Sequence, residues 1–98
     1  MKQLSKNELE NFYKAILSLK TIDECDAFFN DICTIQELES IKQRLDVAFL
    51  LKEGMSYTAI NKMTSASTAT ISRVSKYLNY GEGGYSIVIE RIKGEKNV

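Results

Sequence analysis

Between Met55 and Tyr80 the chain carries Lys62, Arg73 and Lys76 and no Asp or Glu. The same 26 residues hold twelve hydroxyl side chains. The chain as a whole is neutral, 13 basic against 13 acidic residues in 98, so its carboxylates are concentrated elsewhere. Residues 1–33 carry four basic and six acidic groups, residues 34–54 three and four, and residues 81–98 three and three. A local surface that avoids negative charge and offers small hydrogen-bond donors suits a polyanion. Catalysis finds less support. There is no histidine, which removes serine–histidine and cysteine–histidine dyads and every histidine-containing zinc site. No other nucleophile–base pair is visible in the spacing, so no enzymatic activity, metal or cofactor is expected.

The hydroxyl-rich window divides into two short helices. Ser56 is placed to cap the first, which carries Ala59, Ile60 and Met63 as apolar positions. A polar turn, Thr64-Ser65-Ala66, follows, and Ser67 is placed to cap a second helix through Leu78. In that second helix Ile71, Val74 and Leu78 recur three and four apart and must face inward. Ala69, Ser72, Arg73 and Lys76 then point outward, with Thr68 and Thr70 flanking them near the helix start. Two such helices joined by about three residues form a helix-turn-helix unit. The major groove, about 12 Å wide, admits a helix with slim side chains at closest approach. Hydroxyls and a helix N-terminus also suit phosphate.

Upstream, three tetrads have the capping-box form: Ser5-Lys6-Asn7-Glu8, Thr21-Ile22-Asp23-Glu24 and Thr34-Ile35-Gln36-Glu37. Each opens an amphipathic run: Leu9, Phe12, Tyr13, Ile16 and Leu17; then Cys25, Phe28, Phe29 and Ile32; then Leu38, Ile41, Leu45, Ala48 and Leu51. Gly54 is placed to stop the third helix. Asn79-Tyr80-Gly81-Glu82-Gly83-Gly84 reads as a turn, and Tyr85–Lys93 as a last helix whose β-branched Ile87, Val88, Ile89 and Ile92 lower its propensity. The tail from Gly94 to Val98 is expected to fray.

The predicted fold is therefore all-α, about six helices in a single domain spanning residues 1–98. No apolar stretch approaches the ~20 residues needed to span a bilayer. The N-terminus lacks a signal-peptide-like run, and a cytoplasmic location without membrane association is expected. Cys25 and Cys33 would lie about 12 Å apart along one helix, too far for a disulfide. Reduced thiols packed in an apolar interior are the expectation.

The segment Ser67-Thr68-Ala69-Thr70-Ile71-Ser72-Arg73 resembles the reading helix of the Trp repressor superfamily. Thr34-Ile35-Gln36-Glu37, Lys42-Gln43-Arg44-Leu45 and Leu50-Leu51-Lys52-Glu53-Gly54-Met55-Ser56 resemble that family's long central helix and its exit. Ala15–Thr21 and Asn79–Tyr85 are similar to segments typical of its YerC/YecD-type TrpR-related branch. The resemblance covers roughly residues 9–93. It implies an intertwined homodimer, with residues 5–54 as dimerisation helices, 56–78 as the helix-turn-helix and 85–93 as a C-terminal helix. The apolar surface of Phe12, Ile16, Leu17, Phe28, Phe29 and Ile32 exceeds what a short hairpin buries on itself, which fits. The implied partner is double-stranded DNA, and the implied role is that of a sequence-specific transcriptional regulator, most simply a repressor. A helical dimerisation or adaptor module without operator binding is the alternative.

The resemblance assigns base-edge contacts to Thr68, Ala69 and Ser72, with Asn61 reaching from the first motif helix. Phosphate positions transfer to Tyr57, Thr58 and Thr70, and Lys76 adds a cation by its place on the outward face. Thr58 stands where the tryptophan-responsive member has an arginine and Asn61 where it has a lysine, so the operator is expected to differ. The family's effector pocket maps onto Thr34, Arg44, Arg73, Val74 and Tyr77. Thr34 and the two arginines match. Val74 replaces a glycine beside the indole and Tyr77 a serine that binds the ligand amine, so tryptophan is not the expected effector.

Overall fold

The computed structural model describes residues 3–96, which form six α-helices. They make two compact units, one up to Leu38 and one from Glu39 onward.

The first unit contains α1 (Lys6–Ser18), α2 (Ile22–Ile32) and the opening of α3 (Ile35–Lys52). All three starts are set by the tetrads that the sequence offers. Ser5, Thr21 and Thr34 hydroxyls accept the N–H groups of Glu8, Glu24 and Glu37 at 3.2, 3.0 and 3.1 Å. The return arm differs between boxes. The Glu37 carboxylate accepts the Thr34 N–H at 2.8 Å, whereas Glu24 reaches one residue further back and accepts the Lys20 N–H at 3.0 Å. The Thr34 hydrogen bonds hold the Glu37 carboxyl below its ordinary value.

No residue of α1 or α2 is buried. Phe28 and Phe29 meet edge to face at 5.3 Å between centroids, yet both stay half-exposed. Leu17 and Ile22 are 82% and 86% exposed. The cysteines depart from the expected apolar interior: Cys25 is exposed and Cys33, the residue that ends α2, is half-buried. Two helices of 13 and 11 residues present too little surface to enclose a side chain from every direction.

The second unit is built around the later turns of α3, with α4 (Tyr57–Thr64), α5 (Thr68–Tyr80) and α6 (Gly84–Lys96). Gly54, at φ 82°, ends α3. Its N–H meets the Leu51 carbonyl at 3.0 Å and the Met55 N–H meets that of Leu50 at 3.2 Å, the paired bonds of a Schellman ending. Ser56 and Ser67 cap α4 and α5 through the N–H groups of Ala59 and Thr70, each at 3.1 Å. Val47 and Ala48 of α3, Ile60 of α4, Ala66 of the turn, Ile71 and Val74 of α5 and Ile89 of α6 make the core.

Several expectations shift. α5 runs two residues past Leu78, which narrows the glycine turn to Gly81–Gly83. α6 starts at Gly84 and stays helical to Lys96, so residues 94–96 are not frayed; Asn97 and Val98 lie outside the described residues. The anchor is Ile89, 1% exposed, whose packing outweighs the low propensity of its β-branched neighbours. Met63, read as an inward position of α4, is 64% exposed. On α3, Val47 joins Ala48 inside while Ile41 stays exposed. Within this unit the core closes over α3 only near Val47 and Ala48.

Candidate nucleic-acid interface

The core residues Ile60, Ile71 and Val74 fix which sides of α4 and α5 face outward. Thr68, Ala69, Ser72 and Lys76 are all exposed on α5, as are Tyr57, Thr58 and Asn61 on α4. The spacing of Ala69, Ser72 and Lys76, three then four, puts them on one face. Thr70 sits differently. It is half-buried, its hydroxyl accepts from Ser67 Oγ at 3.1 Å, and it lines a cavity between α3 and α5. The Asn61 side chain is also partly engaged, since Nδ2 donates to the Ala66 carbonyl at 2.8 Å. Lys76 Nζ lies 5.9 Å from the centroid of its neighbour Tyr77, an exposed pair that leaves the ammonium in solvent.

Arg44, Arg73, Val74 and Tyr77 line that cavity together, which has a volume of about 220 Å³. Small-molecule pockets are commonly about 300–1,000 Å³. Ser40, Gln43 and Tyr85 complete its wall with Thr70. Ser40, four positions before Arg44, shares its face of α3 and could have been found by helical spacing, whereas Gln43 is not on that spacing and Tyr85 arrives through the glycine turn, so neither carries a local signal. Among the described residues no carboxylate lines the cavity. Among the described residues neither arginine makes an ion pair; the pairs are Lys14–Glu10 and Lys42–Asp46, both exposed. Thr34 belongs to the first unit, where its hydroxyl and N–H are both used in the α3 cap. A second, larger cavity of about 560 Å³ shares Arg44, Tyr77 and Tyr85 and is otherwise mainly apolar, with Ile41, Leu45 and Val88 in its wall.

The sequence model of the family described as Trp repressor protein matches residues 7–93. The chain belongs to the Trp repressor family. It is 50% identical over 91 residues to the protein YerC of Bacillus subtilis, covering 93% of this chain and 88% of that one. A crystal structure of a TrpR-like protein from Eubacterium eligens superposes with a TM-score of 0.85 at 49% identity, covering 91% of each chain. A candidate Trp repressor from Staphylococcus aureus gives 0.85 at 38% identity, over 93% of this chain and 96% of the other. The all-α fold of six helices is thus that of TrpR-like proteins, and the family is one of regulators rather than enzymes. Among the described residues no helix is long and apolar enough to cross a membrane.

Proposed function

We propose that the chain is a cytoplasmic, homodimeric transcriptional regulator that reads double-stranded DNA with the α4–α5 pair. The observation that carries this reading is the outward face of α5. It presents Thr68, Ala69, Ser72, Arg73 and Lys76, all exposed, in a 26-residue window without a carboxylate. Slim side chains at the helix start permit close approach to base edges, and the cations behind them meet phosphates. Tyr57 and Thr58 at the start of α4 are further candidates for phosphate contacts, and Asn61 keeps its side-chain amide oxygen, Oδ1, for a base or a water. Thr70 is less accessible than the others and is the weakest member of the set. The family membership supports the regulatory role.

The dimer is supported by the first unit, in which no described residue is buried and large apolar side chains face solvent. A partner chain that covers them completes one domain over residues 1–98. In the same reading tryptophan is not the effector, because Val74 and Tyr77 occupy the wall of the two-arginine cavity.

A gel shift with a fragment selected from random DNA, repeated across salt concentrations, tests the reading. Sequence-dependent retardation that weakens steeply with salt is expected. A protein that dimerises yet shifts no fragment at low salt is the adaptor module instead.

A further inference from the structure

The turn between α4 and α5 holds an uncommon backbone without a glycine. Ser65 lies in the left-handed region at φ 62°, ψ 10°, which non-glycine residues seldom adopt. α4 has only eight residues, so half of its carbonyls belong to the last turn and need donors from outside the helix. Most of the supply is local. The Ser65 N–H meets the Asn61 carbonyl at 2.8 Å. The Thr64 hydroxyl donates to the Ile60 carbonyl at 2.8 Å and accepts the Ala66 N–H at 3.1 Å. Asn61 Nδ2 donates to the Ala66 carbonyl. These bonds lie within α4 and the turn, and the packing of Ile60 and Ala66 in the core, which ties the turn to the other helices, supplies no directional bond.

One hydrogen bond comes from outside. Gln43 of α3 donates through Nε2 to the Thr64 carbonyl at 3.1 Å across 21 positions. Among the described residues of the second unit it is the one side-chain hydrogen bond that reaches beyond five positions. The apolar core holds α3, α4 and α5 together, but apolar contact is not directional and leaves a short helix free to rotate slightly. A hydrogen bond is directional and sets that rotation. Gln43 is half-buried and borders two open cavities, one with Arg44 and Arg73, the other with Met63 and Thr64. Its amide therefore contributes direction without being a keystone of the packing.

We propose that Gln43 is a positioning residue for DNA recognition: its amide holds the Thr64–Ala66 turn and thereby aims the start of α5 at the bases. The inference rests on the DNA-binding reading above. Displacement of the turn disturbs contacts at Thr68, Ala69 and Ser72, which need exact registry. It leaves the phosphate attraction of Lys62 and Lys76, which does not. Specific and non-specific binding therefore separate.

The test uses the full chain and an operator selected with the wild type. Gln43→Met keeps the length and loses the donor. Operator affinity should fall roughly tenfold, about 1.4 kcal/mol, with affinity for random-sequence DNA and helicity unchanged. Amide exchange at Ser65 and Ala66 should quicken. Gln43→Lys restores a donor of similar reach and should recover operator binding. An unchanged operator affinity for Gln43→Met overturns the proposal and leaves the DNA-binding reading standing. So does an equal loss on operator and random DNA, or a Gln43→Lys variant as impaired as Gln43→Met. A wild type that selects no operator overturns the DNA-binding reading itself, and this proposal with it.

Discussion

Val74 is 2% exposed and still forms a wall of the cavity that holds Arg44 and Arg73. An indole placed against a glycine at that point would meet three extra carbons, and overpacking of this kind costs about 1–3 kcal/mol. Tyr77 adds bulk and moves its hydroxyl away from where a serine would offer it, at about 1 kcal/mol for one lost hydrogen bond. Together these amount to roughly 10²-fold or more in affinity. Calorimetric titration with millimolar L-tryptophan should therefore show no saturable binding, and a gel shift should not respond to it. Saturable binding with a roughly tenfold gain in DNA affinity, about 1.4 kcal/mol of coupling, would contradict this. The residues of the cavity show how far the sequence could be read. Arg44, Arg73, Val74 and Tyr77 do line one space. Thr34 is engaged in a cap, because the local hydrogen bonds with Glu37 are three residues away and need no tertiary partner. Gln43 was invisible because its partner is a backbone carbonyl 21 positions on, which no residue type announces.

Helix starts were legible because a cap is a local event. Six helices begin where hydroxyl and glycine residues place them, and five of those starts are Ser5, Thr21, Thr34, Ser56 and Ser67. The ends and inward faces were less so. α6 depends on Ile89 reaching the core, and Met63 is exposed although its spacing matches an inward position. Two predictions belong here. The Glu37 carboxyl is lowered from 4.5 by its hydrogen bonds to Thr34. A lowered folded value means that its contribution is full above about pH 4.5 and is lost as pH falls through the folded value. Glu37→Gln keeps an acceptor but removes the titration, so thermal stability measured between pH 6 and about pH 3 should fall less steeply than for the wild type. An identical slope would show that the cap carries no pH dependence. The second concerns Ile89→Ala, which should cost about 2–5 kcal/mol as a buried aliphatic truncated in a small core. Chemical denaturation reads the loss. A change below about 0.5 kcal/mol, ordinary for surface positions, would place Ile89 outside the core.

The whole molecule has an unequal distribution of buried surface. Every fully buried residue of the described chain lies at or beyond Val47, while α1 and α2 expose Phe12, Tyr13, Leu17, Ile22 and Ile32. A homodimer that covers them should unfold with a midpoint that rises with protein concentration. Phe28→Asp should abolish folding of the dimer, since an unpaired carboxylate cannot be accommodated in an apolar interface. A monomeric mass by light scattering with full helicity would contradict the dimer. The central claim, that this dimer reads DNA with α4 and α5, is tested most directly by footprinting a fragment selected from random sequence. Wild-type protein should protect two half-sites about 34 Å apart, one helical turn. On that fragment Ser72→Ala should alter base preference at one position of each half-site, at a cost of about 1–3 kcal/mol. Lys76→Ala should weaken binding to all sequences and reduce the salt dependence by about one unit. Absence of any protected site, or protection by both variants indistinguishable from the wild type, would contradict the account.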